Sequence, residues 1–307
     1  MNLLKKIYLK TLDRESYNNY YYQLGIEQKR NNFKNNNYQE YIDQIFENIE
    51  KYEEINFLHS GHIGDLIYSL PVIKKLSETK TCNLYINLNK EHHLDMYSNT
   101  HIAGKVFINK KIYDKLLPLL KNQKYLNKVD VFENQKIHVN FDLWRDVFQN
   151  ITFPSERLYF HLTGVQTDLS QKYLSAHDVD GFKDKITMVR TLRWNNFHIN
   201  YDALRDVDNI VFLGLKNEYD NLKTLIPKLN FHEVKDFLEM ASIINSSAFF
   251  IGNQTFPYSL AEGLKIPRLL EIYPEFAVVH PKGENAKGFY FKNEFEKYYK
   301  EYSEAFL

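Results

Sequence analysis

His59-Ser60-Gly61-His62-Ile63-Gly64-Asp65-Leu66-Ile67-Tyr68-Ser69-Leu70-Pro71 decides how the chain is read. The run Ile55-Asn56-Phe57-Leu58 enters it with the pattern of a strand. Leu66, Ile67, Leu70, Val72, Ile73 and Leu76 leave it at helical spacing. Between them, two glycines three apart permit a sharp turn and close approach of a ligand to the backbone. The helix that follows begins with free N–H groups and a partial positive charge. A carboxylate at Asp65 stabilises that helix whatever else it does. The same position lies beyond a strand's carboxyl end, where open α/β sheets bind ligands, so Asp65 is also a candidate cleft carboxylate.

Outward from this stretch the chain alternates strands and helices. In the first half, strands are expected over 55–59, 82–88 and 129–132, with helices over 65–77 and near 112–121. Shorter segments follow at 136–140 and 141–145, and polar residues over 166–180 mark a crossover. The second half repeats the design. Strands are expected over 186–190, 209–213, 248–251 and 268–272, with helices over 218–225, 234–245 and 257–264. Such alternation implies parallel sheets covered on both faces, and two such units place a cleft between their strand ends. The expected organisation is a helical extension over 1–54, an α/β unit over 55–180, a second over 181–290, and a Tyr-rich amphipathic helix over 291–307. Within the extension, Tyr41, Ile42, Ile45, Phe46 and Ile49 have helical spacing, and residues 31–37 read as a break.

Composition narrows the function classes. The 307 residues carry 39 basic and 39 acidic side chains, a balance that argues against broad electrostatic capture of nucleic acid. The single cysteine, Cys82, rules out an intrachain disulfide and a cysteine-cluster metal site, and suits a reducing compartment. No apolar run approaches the ~20 residues of a membrane span. The first ten residues are interrupted by lysines and lack a signal-peptide core. The expected location is cytoplasmic, with peripheral contact at the inner membrane face permitted by the basic decapeptide and the aromatic C-terminal helix.

Three strand-end turns hold the candidate chemistry. Arg190, Thr191 and Arg193 offer paired donors and a hydroxyl suited to phosphate; a surface arginine pair with a helix cap is the plainer alternative. Gly214 ends another strand. In Gly252-Asn253-Gln254-Thr255-Phe256-Pro257, Thr255 can cap a helix that Pro257 starts at no hydrogen-bond cost, and the freed N–H groups suit a diphosphate. Glu262 and Glu271 are candidate acceptors for sugar hydroxyls. Asp142 and Arg145 flank Trp144 and read either as an ion pair or as a cleft-lining pair. His59 and His62 bracket Gly61 without further convergent ligands, so no metal site is expected there, and acid–base chemistry is the alternative. P-loop, G-x-S-x-G, H-E-x-x-H and zinc patterns are absent, and Gly61-x-x-Gly64 is not a full dinucleotide fingerprint.

Gly64-Asp65 with Pro71, and Gly252-Asn253-Gln254-Thr255-x-Pro257 with Leu260-Ala261 and Pro267, resemble the ADP-heptose:lipopolysaccharide heptosyltransferases, glycosyltransferase family 9. The resemblance spans roughly 55–290. It implies a GT-B fold, two Rossmann-like domains facing across a cleft, with acceptor on the first and nucleotide-diphosphate sugar on the second. Asp65 matches the family's general base. Arg190, Thr191, Arg193, Gly214, Asn253, Gln254, Thr255 and Glu271 fall on the donor side, and His62, Asp142 and Arg145 on the acceptor side. Gln254, Phe256 and Ser259 depart from the aspartate, glycine and histidine usual there, and the N-terminal extension is unlike the compact relatives.

The function this implies is inverting sugar transfer to a glycan or glycolipid hydroxyl, with no cofactor and no bound metal. Two alternatives stay open: a non-catalytic nucleotide-sugar or glycan binding protein with a decayed donor site, and a nucleotide-sugar epimerase or hydrolase on the same fold.

Overall fold

Parallel strands buried on both faces read as apolar runs, and β1 (Glu54–His59) and β2 (Thr81–Ile86) do so, with Ile55, Phe57, Leu84 and Ile86 fully buried. The computed structural model describes residues 3–92, 102–148 and 154–307. Before β1 come three helices, α1 (Leu3–Leu12), α2 (Arg14–Asn35) and α3 (Tyr38–Lys51). Met1 and Asn2 of the basic decapeptide lie outside the described residues. The expected break at 31–37 is confined to its end: α2 runs on to Asn35, and Asn37 takes the left-handed conformation that starts α3.

The first sheet continues through α4 (Ile63–Leu76), α5 (Lys110–Lys121), β3 (Lys128–Val131) and β4 (Val139–Asn140). A 3₁₀ turn over Phe141–Leu143 leads into a short helix, α6 (Trp144–Val147). Strand order is β3-β2-β1-β4, all parallel. The chain therefore leaves β1 toward β2 on one side and returns as β4 on the other, which puts a switch point between the ends of β1 and β4.

The second sheet contains β5 (Ile186–Val189), β6 (Ile210–Phe212), β7 (Asn230–Phe231), β8 (Phe249–Asn253), β9 (Arg268–Glu271) and β10 (Ala286–Phe289). Their order is β10-β9-β8-β5-β6-β7, again all parallel. Its switch point lies between β5 and β8. Helices α8 (Lys216–Lys223), α9 (Phe237–Ser246) and α10 (Phe256–Leu264) follow β6, β7 and β8. The strand β10 and the helix α7 (Ser155–Thr163) have no counterpart in the sequence reading. The last helix, α11 (Lys292–Phe306), belongs to the second half. Phe295 packs on Phe289 at 4.9 Å between ring centres, and Tyr302 on Phe249 at 5.7 Å.

Buried apolar side chains of the two halves form one continuous cluster. Its join is the contact of α4 with α10 and of α5 with α9. At Gly64 a Cβ would lie 3.6 Å from the Cα of Phe256, so the first turns of α4 and α10 touch. The crossover segment ties both halves together. The N–H groups of Tyr173 and Leu174 donate to the Gly263 carbonyl at 3.0 Å each, and Gln123 exchanges hydrogen bonds with both backbone groups of Ser175 at 2.8 and 3.0 Å.

Glu156 opens α7 fully buried, and neither carboxylate oxygen meets a hydrogen-bond partner from another described residue. Burial, helped by the charge of Glu262, pushes its carboxyl up to about 7. Because the native group binds its proton more tightly than the unfolded one, stability is full below the ordinary value of 4.5 and is lost as pH rises through about 7. Glu156→Gln is expected to be more stable than wild type by up to about 3 kcal/mol at about pH 8, with the difference vanishing in acid. Denaturant unfolding across this range checks it; a pH-independent difference contradicts the buried charge.

Candidate active site

The turn after β1 is shaped by what must pass it. A Cβ at Gly61 would fall 2.0 Å from Nη2 of Arg145, so only glycine admits the guanidinium there. Arg145 comes from α6, on the far side of the first switch point, and lies over the rings of Trp144 at 4.3 Å and Phe107 at 4.8 Å. Its Nη2 donates to Oδ2 of Asp65 at 2.7 Å, while Nη1 stands 3.7 Å from Oδ1 of Asp142. The principal ion pair of Arg145 is therefore with Asp65, and its link to Asp142 is the longer one.

Asp142 sits at the carboxyl end of β4 and is nearly buried. It accepts from the Ser60 N–H at 2.9 Å, from the Ser60 hydroxyl, and from Lys90 Nζ at 2.9 Å. Burial pushes its carboxyl up, but the charges and donors around it outweigh burial and hold it below the usual range. For Asp65 the balance is reversed: burial raises its carboxyl and Arg145 only partly offsets this. Two carboxylates thus share one arginine with opposite shifts, and Asp65, a quarter exposed, is the more basic.

His59 lies beneath the turn. Its Nδ1 accepts from the Gly61 N–H at 3.1 Å, which assigns the ring proton to Nε2. Nε2 then donates to Tyr159 at 3.0 Å, and the Tyr159 hydroxyl donates to the Asp65 carbonyl at 2.9 Å. Burial pushes the imidazole down to about 3, so it stays neutral. His59 is thereby a scaffold residue and not an acid–base candidate. His62 starts α4 and meets Phe107 edge-on at 4.8 Å. Among the described residues, no group of three or more His, Cys, Asp and Glu could hold a metal.

At the second switch point the polar residues are engaged with one another. Arg190 donates to Glu271 through Nε at 2.8 Å and Nη2 at 2.9 Å. Glu271, fully buried, also accepts from Tyr201 at 2.6 Å and from the Asn196 N–H at 2.5 Å. Arg190 and Glu271, both expected on the donor side, form a buried pair whose side chains face each other. Glu262 likewise accepts from Arg268 at 2.7 Å and from Lys265. Asn253 holds the turn after β5, accepting from the Thr191 N–H at 3.1 Å and donating to the Thr191 carbonyl at 3.0 Å. Gln254 donates to the Phe276 carbonyl at 2.7 Å and accepts from the Tyr273 N–H at 3.2 Å. Thr255 is the N-cap residue of α10, but its hydroxyl bonds the Asn253 carbonyl and makes no cap. Gly214 has no room for a Cβ, which would lie 2.6 Å from the Phe212 ring and 2.9 Å from Glu218. Arg193 lies near Glu218, whose carboxyl burial pushes up and Arg193 pulls down.

Ser60, Lys90, Phe107 and Tyr159 were not singled out from the sequence. Lys90 follows β2, a strand-end position that was available as a signal; Tyr159 carried none.

Two all-parallel Rossmann-like sheets whose switch-point helices abut define the GT-B architecture. Two solved structures share it. A glycosyl transferase family 9 protein from Veillonella parvula aligns with a TM-score of 0.53 at 12% identity, over 81% of this chain and 89% of that one. E. coli heptosyltransferase WaaC with ADP aligns with a TM-score of 0.50 at 12% identity, over 81% and 99%. At this identity the likeness is one of fold. No protein-family model and no curated protein matches the sequence.

Two substitutions separate these networks. Gly61→Ala is expected to expel Arg145, cost roughly 1–3 kcal/mol, and raise the Asp65 carboxyl further; denaturant melts and a carboxyl NMR titration read both effects. Glu271→Ala strands a buried guanidinium and is expected to cost about 3–5 kcal/mol. A loss under about 1 kcal/mol by the same melts would mean that Arg190 finds water.

Proposed function

We propose that the protein is an inverting glycosyltransferase that moves a sugar from a nucleoside-diphosphate sugar to a glycan or glycolipid hydroxyl, with Asp65 as general base. One observation carries this reading: Asp65 is a part-exposed, upward-shifted carboxylate on the first turn of α4, and that turn touches the first turn of α10 across the two switch points. The fold shared with a family 9 glycosyltransferase and with WaaC in its ADP complex supports it.

In the reaction, the acceptor hydroxyl gives its proton to an Asp65 carboxylate oxygen. Its oxygen bonds to the anomeric carbon from the face opposite the diphosphate, and the carbon–oxygen bond to the diphosphate breaks with the electron pair leaving on phosphate. Arg145 favours the ionised form of Asp65 against burial and aims it. On the donor side, the N–H groups at the start of α10, Thr191 and Arg193 meet the diphosphate's growing charge. Arg190 and Glu271 act from behind, fixing the floor of that pocket. In this reading those N–H groups, with Thr191 and Arg193, supply the charge stabilisation that a divalent cation would otherwise give the leaving diphosphate.

A second reading has its own observation. Arg190 and Gln254, which a donor site would employ, are both engaged within the protein. That suits a binding protein whose donor site has decayed.

Thermal melts with a panel of nucleoside diphosphates and their sugars decide between them. A ligand at 100 times its Kd adds about 2.7 kcal/mol. Stabilisation by one diphosphate nucleotide, with transfer that falls roughly 10²–10⁴-fold in Asp65→Asn while nucleotide binding is retained, is the expected result. No stabilisation by any of them favours the binding protein, and near-normal transfer by Asp65→Asn removes Asp65 from the role of base.

A further inference from the structure

Helix α1 turns its apolar side outward. Leu3, Leu4, Ile7, Tyr8 and Leu12 fall on one broad arc of the helix, and Leu3, Leu4 and Leu12 keep 71%, 78% and 75% of their surface exposed. Thr11 lies within the same arc, with its hydroxyl bonded back to the Ile7 carbonyl at 2.8 Å. The opposite side carries Leu9, the one half-buried residue of α1, and Lys6, whose ammonium lies 5.6 Å over the Tyr21 ring of α2. A helix docked on its own protein normally buries the apolar face and leaves the cations in water. Here the arrangement is inverted.

Charge indicates what meets this face. By helical periodicity Lys5 and Lys10 stand at the two edges of the arc, and α1 contains no acidic residue. An apolar strip edged with lysines and bearing a tyrosine is the pattern of a helix lying in a membrane interface, where lipid phosphates draw the cations. A second copy of α1 would set lysine-edged arcs against each other with no carboxylate in either to pair them, and like charges so placed oppose association.

We infer that α1 is a surface anchor: its apolar arc enters the headgroup region of an anionic bilayer, with the flanking lysines on lipid phosphates. This does not rest on the glycosyltransferase reading, and its test contains no sugar transfer.

The experiment is co-sedimentation of the full chain with vesicles of phosphatidylcholine alone and of phosphatidylcholine mixed with phosphatidylglycerol. Several-fold more protein is expected on the mixed vesicles, falling as salt is added. A Leu4→Ser, Ile7→Ser, Leu12→Ser variant is expected to lose binding with its melting unchanged, since those side chains are exposed. Lys5→Gln with Lys10→Gln is expected to lose the preference for anionic lipid. Equal binding to both vesicle types, no binding to either, or full binding by the triple variant overturns the inference. A dimer in light scattering that the triple variant splits, without vesicle binding, overturns it in favour of a second copy.

Discussion

The contact between the first turns of α4 and α10 is the constraint on which the rest depends. Each helix follows the strand beside its sheet's switch point, so each first turn marks the place where that sheet can bind a ligand. The contact between the two turns brings the two switch points next to each other. Gly64 faces α10, where a Cβ would meet Phe256 at ordinary contact distance, whereas Gly61 clears a path for the guanidinium that reaches Asp65. A side chain at Gly61 would act on the electrostatics of Asp65 without touching it.

Around that join the two halves treat charge differently. In the first half one arginine serves two carboxylates, and Asp65 keeps a solvent-facing share. In the second half Arg190–Glu271 and Arg268–Glu262 are closed pairs with almost no exposure. Closed pairs contribute little net stability and are costly to break, so they fix geometry more than they add energy. The first half therefore leaves Asp65 with a shared partner and some solvent, and the second is held by pairs closed to solvent.

Much of the architecture was legible because parallel strands and amphipathic helices have distinct periods. β1, α4, β5, β6, α10 and β9 lie within a few residues of where spacing puts them. Helix α7 was missed because Ser155, Glu156 and Thr163 are polar yet buried beside its apolar residues, which blurs the period a sequence reading needs. At the site, Gly61, Gly64 and Asp65 were legible because a turn and a helix start impose residue types. The partnerships of Arg190 with Glu271 and of Arg145 with Asp65 were not, since each joins residues about 80 apart whose pairing follows from strand order alone. An arginine at a strand end has the same sequence signature whether it faces a ligand or a buried glutamate.

The crossover at 173–175 has a mechanical consequence. Its backbone is sewn to the end of α5 on one side and to α10 on the other, with Tyr125 also donating to the Tyr173 carbonyl at 2.8 Å. Separating the halves at this point would break those bonds on one side or the other. The segment is thus a staple: a pull on either half reaches the other through hydrogen bonds to one short stretch of backbone as well as through the packed core.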